Sequence, residues 1–315
     1  MNSQCFYPGG SADSLREDPK QRQRLREKLG LLPFLAEREV LCLGPHGIHC
    51  EVYSQDPSAP VILFLPGIGT YSELYAEVLA GIARQGFTLV GIDVRGHGYS
   101  GGARGEYRVD QVVDDLRQVL DCLQQRFTGP VGIYGYSIGG LLALALAEQE
   151  PRIQSLLCGT LLVTEMPPDV LHSFGWAWTW SSALFFPGLS LPMRTFIDYD
   201  RLLAGHPASE EINKDPRVVF DYPLGTLSSL FTHRCGALQQ AYPFQACILQ
   251  GDRDEVLGLE YTERVIAGMT HPFQLRVLPG EGHMIPWDNP PLLIQAVADW
   301  FHQTLPQADT SLASA

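Results

Sequence analysis

Mainly apolar runs alternate with segments of helical spacing along most of this 315-residue chain, and that alternation restricts the fold more than any other feature. Residues 61–65, 88–93, 131–134, 153–158, 246–250 and 274–278 form the runs. Runs this short and this poor in charge suit strands covered on both faces, as in a parallel sheet. Helical spacing occupies 72–85, 110–127, 138–149, 259–267 and 291–305. The second of these puts Val112, Val113, Leu116, Val119, Leu120 and Leu123 on one stripe, whereas 138–149 is apolar almost all round and reads as a core helix. Parallel neighbours need crossover connections, so the pattern predicts an α/β fold: a mostly parallel central sheet with helices on both faces. Residues 38–43 and 48–54, around Gly44-Pro45-His46-Gly47, predict a hairpin that adds antiparallel strands at one edge.

The alternation fails over 160–242, a stretch too long for a loop. It predicts an inserted, largely helical cap between two parts of one core, 38–159 and 243–306, with an N-terminal extension at 1–37 and a tail at 307–315. The extension carries one short helical pattern near 18–29 and no readable chemistry. Within the cap, 173–193 has no charged residue and holds Phe174, Trp176, Trp178, Trp180, Phe185 and Phe186. Its glycines, serines and prolines break it too often for a membrane span. Trp176 and Trp180, four apart, share a helix face and are candidates for lining an apolar substrate pocket, with packing of cap on core as the alternative. The opposite face would meet solvent or, transiently, a lipid surface.

Lys and Arg number 22 against 35 Asp and Glu, a net charge of −13, which argues against a nucleic-acid partner. The seven cysteines form no C-x-x-C pair, so neither a zinc framework nor a disulfide scaffold is indicated. No basic stretch followed by an apolar one opens the chain, and a cytoplasmic location is the expectation.

Gly135-Tyr136-Ser137-Ile138-Gly139 fits G-x-S-x-G, with a buried strand before it and a helix after it. A nucleophilic serine on so sharp a turn needs glycine on either side, and the turn aims the free amides at the start of the helix toward a developing oxyanion. Such a serine needs a base, and the base needs an orienting carboxylate. Of the nine histidines, His283 follows the last strand, in Pro279-Gly280-Glu281-Gly282-His283, where the base of a Ser…Asp…His order belongs. His46 and His49 lie upstream, His172, His206 and His233 in the cap, and His271 and His302 read as helix-end or surface residues. Gly251-Asp252-Arg253-Asp254-Glu255 offers the carboxylate, and reach alone does not choose between Asp252 and Asp254.

On Gly135 to Gly140, on Asp93-Val94-Arg95-Gly96-His97-Gly98-Tyr99-Ser100-Gly101, on Gly251 to Asp254 and on Gly282-His283, the chain resembles the α/β-hydrolase superfamily over about 38–305. Within it, the resemblance is to serine hydrolases similar to monoacylglycerol lipases and lysophospholipases. It implies Asp254 as the acid, three residues after the glycine. It also implies an oxyanion hole made by the backbone amides of Ile138 and, in Pro66-Gly67-Ile68-Gly69, of Ile68, although Pro66 stands where such relatives usually have histidine. Gly96, Gly98 and Gly101 spell G-x-G-x-x-G after a strand, but helical spacing begins only near Asp110, so a dinucleotide site is not expected. The expected chemistry is ester hydrolysis through an acyl-enzyme, with no metal and no cofactor. The expected substrate is apolar with a small alcohol part, such as a monoacylglycerol or lysophospholipid. Thioester, amide or carbon–carbon hydrolysis, cofactor-free perhydrolysis and a non-catalytic binding role are the alternatives.

Overall fold

The computed structural model describes residues 15, 17–54, 56–194, 198–203, 206 and 209–306, with the backbone of 6–7. Cys5 and the segment 307–315 lie outside them. In chain order the elements begin with β1 (Phe6–Tyr7), α1 (Pro19–Lys28), α2 (Leu32–Leu35), β2 (Glu39–Leu43), β3 (Ile48–Tyr53), β4 (Val61–Leu65), α3 (Ala76–Ala83), β5 (Thr88–Ile92), α4 (Val109–Leu123), β6 (Val131–Tyr136), α5 (Ile138–Ala147) and β7 (Ile153–Gly159). The interruption holds α6 (Val170–Ala183), β8 (Ser190–Pro192), α7 (Tyr199–Leu202), α8 (Ser209–Lys214), β9 (Asp221–Pro223) and α9 (Leu224–Phe231). The chain then returns through β10 (Gln245–Gly251), α10 (Leu259–Gly268), β11 (Phe273–Leu278), α11 (Ile285–Asp288) and α12 (Pro290–Thr304).

The strands order as β1-β2-β3-β5-β4-β6-β7-β10-β11, antiparallel through β5 and parallel from β5 onward. The expected hairpin is therefore the antiparallel edge. Every residue of β4, β5 and β6 is buried, as runs without polar alternation require. Two apolar clusters cover the faces: α4, α5 and α10 pack on one, and α3 and α12 on the other. All of α5 but Ile138 is buried. Truncating a side chain such as Leu146 there is expected to cost about 2–5 kcal/mol.

The interruption, expected to be largely helical, also carries β8 and β9 paired as an antiparallel ribbon. Two readings of the sequence change here. The N-terminal segment is not a bystander. Arg22 of α1 is buried and pairs with Asp215 of the cap at 2.7 Å, while Arg26 pairs with Glu73 of the core at 2.6 Å and Arg38 reaches the same Glu73 at 3.1 Å. His271 is not at the surface: it is 1% exposed and its ring meets Tyr242, Phe244 and Phe273. The six described cysteines are all buried and free.

Candidate active site

β6 delivers Ser137 and α5 begins at the next residue, so the serine sits on the turn between them. Its backbone has φ 56° and ψ −124°, in the left-handed range that side chains avoid, at a cost of about 1–3 kcal/mol. The glycines make this possible. A Cβ on Gly135 would fall 2.1 Å from the Gly139 carbonyl oxygen, and one on Gly139 would fall 2.4 Å from that of Leu65. The Ser137 amide donates to the Gly159 carbonyl at 2.7 Å, and the Gly140 amide donates to Ser137 at 2.8 Å, which pins the turn from both sides.

The loop after β11 brings His283 to the serine, with Nε2 3.2 Å from Ser137 Oγ and Nδ1 2.8 Å from Asp254 Oδ2. Of the two carboxylates that reach left open, Asp254 is the one that meets the imidazole. Asp254 is buried, and its Oδ1 accepts the amides of Val256 at 2.8 Å and Leu257 at 3.0 Å, so the other oxygen faces the imidazole. Asp252 points away and accepts the Gly280 amide at 2.7 Å.

Ile138 opens α5, so its N–H has no carbonyl one helical turn earlier. The Pro66–Gly69 loop crosses the elbow closely: a Cβ on Gly67 would lie 3.5 Å from Ser137 Cβ. Thr70 Oγ1 donates to the Gly67 carbonyl at 2.8 Å, and the Gly67 amide donates to the Tyr75 hydroxyl at 3.3 Å. Among the described residues, neither the Ile68 nor the Ile138 amide donates to a protein acceptor.

Spacing did not single out Tyr136, Thr70 or Tyr75. The Tyr136 hydroxyl donates to the His283 carbonyl, so the residue before the serine also holds His283 in place. A large aromatic inside G-x-S-x-G was the available signal. The tryptophans are not brought to this cluster. Trp176 stacks on Phe231 of α9 with ring centres 5.4 Å apart, a packing contact within the cap rather than of cap on core, and Trp180 faces a separate groove of about 440 Å³ with Arg108, Leu184 and Arg234. Helical spacing placed both on one face but could not say what the face meets. His97 is a packing residue. Burial pushes its pKa down to about 4, and the neutral ring lies 3.1 Å from the Arg95 carbonyl and 2.7 Å from the Tyr222 hydroxyl. No helix opens at Gly96 to Gly101, so nothing there forms a dinucleotide turn.

A mostly parallel sheet with a serine elbow at the carboxyl end of its central strand defines an α/β hydrolase. The chain matches the family described as serine aminopeptidase, S33, over residues 56–290, and it belongs to that family. An uncharacterized protein of Mycobacterium tuberculosis is 28% identical, over 79% of this chain and 77% of its own. A monoacylglycerol lipase of Paleococcus ferrophilus superposes with a TM-score of 0.66 at 21% identity, covering 81% of this chain and 98% of that one. A soluble variant of the monoglyceride lipase of Saccharomyces cerevisiae, in complex with a substrate analog, gives 0.65 at 16%, over 85% and 96%. These likenesses establish a hydrolase fold resembling the monoacylglycerol lipases. No described helix is long and apolar enough to cross a membrane.

Proposed function

We propose that this hydrolase cleaves carboxylic esters through an acyl-enzyme on Ser137. The observation that carries the reading is the continuous line from Ser137 Oγ through His283 to Asp254 on a strained, glycine-flanked elbow. His283 takes the serine proton as Oγ attacks the carbonyl carbon, and the Ile68 and Ile138 amides stabilise the oxyanion. The tetrahedral species then collapses. The acyl–oxygen bond breaks, His283 returns the proton to the departing alcohol, and water repeats the sequence on the acyl-serine. Asp254 holds the imidazole in the tautomer that this requires. An apolar acyl group with a small alcohol, as in a monoacylglycerol or lysophospholipid, fits a fold shared with monoacylglycerol lipases. The family description names an aminopeptidase, which makes amide hydrolysis the second reading.

Ser137→Ala is expected to fold, because every glycine of the elbow remains, and to lose both turnover and labelling by a fluorophosphonate probe. Labelling that persists in this variant would move the nucleophile elsewhere. Esters, thioesters and amides of one acyl chain, offered side by side to the wild type, separate the two readings.

Lipid contact through α6 belongs to the same reading. Phe174, Trp178, Leu184, Phe185 and Phe186 are each at least half exposed, and Thr179 is the helix's one buried residue. The chain from 173 to 193 carries no charge, while Arg108 and Arg234 line the groove beside Trp180. An apolar face edged by tryptophan and arginine suits a bilayer surface.

A further inference from the structure

A cavity of about 580 Å³ opens on His283, and charged side chains share its wall with Leu202, Val256 and Met284. The core contributes Arg253, Glu255 and Asp288, and the cap contributes Asp198 and Arg201. Their placement follows from the backbone. Asp254 turns inward to His283, held by the amides of Val256 and Leu257, so its neighbours Arg253 and Glu255 are left exposed on the other side of the chain. The Arg253 amide donates to the Glu281 carbonyl at 3.0 Å, which ties this loop to the one that carries His283. Asp198 is already engaged: it caps α7 by accepting the Asp200 amide and accepts the Asn213 side chain at 3.0 Å. Arg201, Arg253 and Glu255 make no ion pair among the described residues. Most other arginines here are paired, including Arg22, Arg26, Arg38, Arg95 and Arg152.

The chemistry says which half of a substrate this cavity receives. The proton that His283 takes from Ser137 must go to the leaving oxygen, so that oxygen lies within hydrogen-bond reach of the imidazole. The alcohol beyond it extends toward the space beside His283, while the acyl carbon stays on Ser137. We propose that the cavity is the leaving-group subsite and that it selects an alcohol bearing both an anionic and a cationic group. Arg201 and Arg253, one from the cap and one from the core, hold the anion, and Glu255 with Asp288 holds the cation. Two unpaired guanidiniums suit the oxygens of a phosphodiester. Carboxylates in the same wall make a purely anionic head group a poorer fit than a zwitterionic one. The inference rests on the acyl-enzyme reading above and names the alcohol side of its substrate.

The test uses three esters of one acyl chain, each in the same detergent micelle: oleoyl lysophosphatidylcholine, oleoyl lysophosphatidylglycerol and oleoylglycerol. The wild type is expected to favour the first over the last by roughly tenfold or more in kcat/KM, as two charge-assisted contacts allow. Arg253→Gln should lower both phosphate-bearing esters relative to oleoylglycerol, mainly through KM. Glu255→Gln should lower the choline ester relative to the phosphatidylglycerol analogue. A wild type that prefers oleoylglycerol, or variants that scale all three esters alike, would overturn the head-group assignment and leave the acyl-enzyme standing. Hydrolysis that survives Ser137→Ala, or a wild type that cleaves none of the three while the fluorophosphonate leaves Ser137 unlabelled, would instead bring down the acyl-enzyme reading and the subsite with it.

Discussion

Asp252 and Asp254 are two residues apart in one loop, yet they do different work. Asp254 accepts two amides on one oxygen and faces His283 Nδ1 with the other, so its removal frees the imidazole to adopt the wrong tautomer. Asp254→Asn is expected to lower kcat by as much as ~10⁴ in a folded protein, the scale seen when a triad acid is amidated. Asp252 joins the ends of β10 and β11 through the Gly280 amide, so Asp252→Asn should cost stability more than rate. Comparing kcat and melting temperature for the two variants checks this. A larger rate loss in Asp252→Asn would reverse the assignment. Gly135→Ala tests the elbow itself, because the added methyl would press on the Gly139 carbonyl. A destabilisation of several kcal/mol is expected, against the ~1 kcal/mol of an ordinary surface change.

Among the elements, α6 stands apart. Most of its apolar residues, and those of the turn that follows it, face outward: Phe174 in the helix is 70% and Phe185 just beyond it 77% exposed, whereas α5 is buried along nearly its whole length. A monomer rarely leaves so continuous an apolar surface open without a use for it. Phe174→Ser with Phe185→Ser is expected to leave the melting temperature nearly unchanged, since both rings are largely exposed and Phe185 meets only the equally exposed ring of Phe186 among the described aromatic contacts. The pair should weaken co-sedimentation with phosphatidylcholine vesicles by tenfold or more, because each ring carries about 1.5–3 kcal/mol of transfer free energy. Vesicle binding equal to wild type would remove α6 as the contact. Trp176 belongs with packing instead: it stacks on Phe231, so Trp176→Ala should lower stability and slow short and long esters alike. A selective loss on long acyl chains would return that ring to the substrate pocket.

For the molecule as a whole, buried titratable groups set the response to acid. Burial holds His97 at about 4, below its ordinary 6.5, so the folded chain binds fewer protons there than the unfolded one. Its contribution to stability is complete above pH 6.5 and is lost as pH falls toward 4. For Glu73, burial alone would raise the pKa, but the hydrogen bond from Arg26 and the charges of Arg38 and Arg22 outweigh it and hold the group at about 2, below 4.5. Its contribution is complete above 4.5 and fades toward pH 2. Urea midpoints are therefore expected to drop in two stages on acidification. The first should flatten in His97→Asn, which can still donate to the Arg95 carbonyl. A first stage unchanged in that variant would assign it to other groups. The Glu73 cluster also ties the extension, core and cap together, since Arg22 meets both Glu73 and Asp215.

How much of this was legible follows from the range of each signal. Strand and helix order, the edge hairpin and the serine turn were readable because apolar spacing and glycine placement act over a few residues, and backbone sterics at that range leave few options. Distance along the chain hid the rest. Arg22 and Asp215 are 193 positions apart, so no local pattern could pair them. Helical spacing put Trp176 and Trp180 together but did not reveal that their surroundings are Phe231 and an arginine-lined groove. His271 was read as a helix-end or surface residue, whereas it is enclosed by Phe273, two positions on, and by Tyr242 and Phe244, which lie 29 and 27 positions earlier in the chain. The choice between Asp252 and Asp254 depended on where the turn after β11 lies, and the charged side chains beside His283 on how α7 of the cap meets two core loops. Local spacing thus determined the sheet and the turn that carries the serine. Which groups face that serine was decided only when packing brought remote segments together, because burial and hydrogen bonding are properties of the folded surface rather than of the neighbouring residues in the chain.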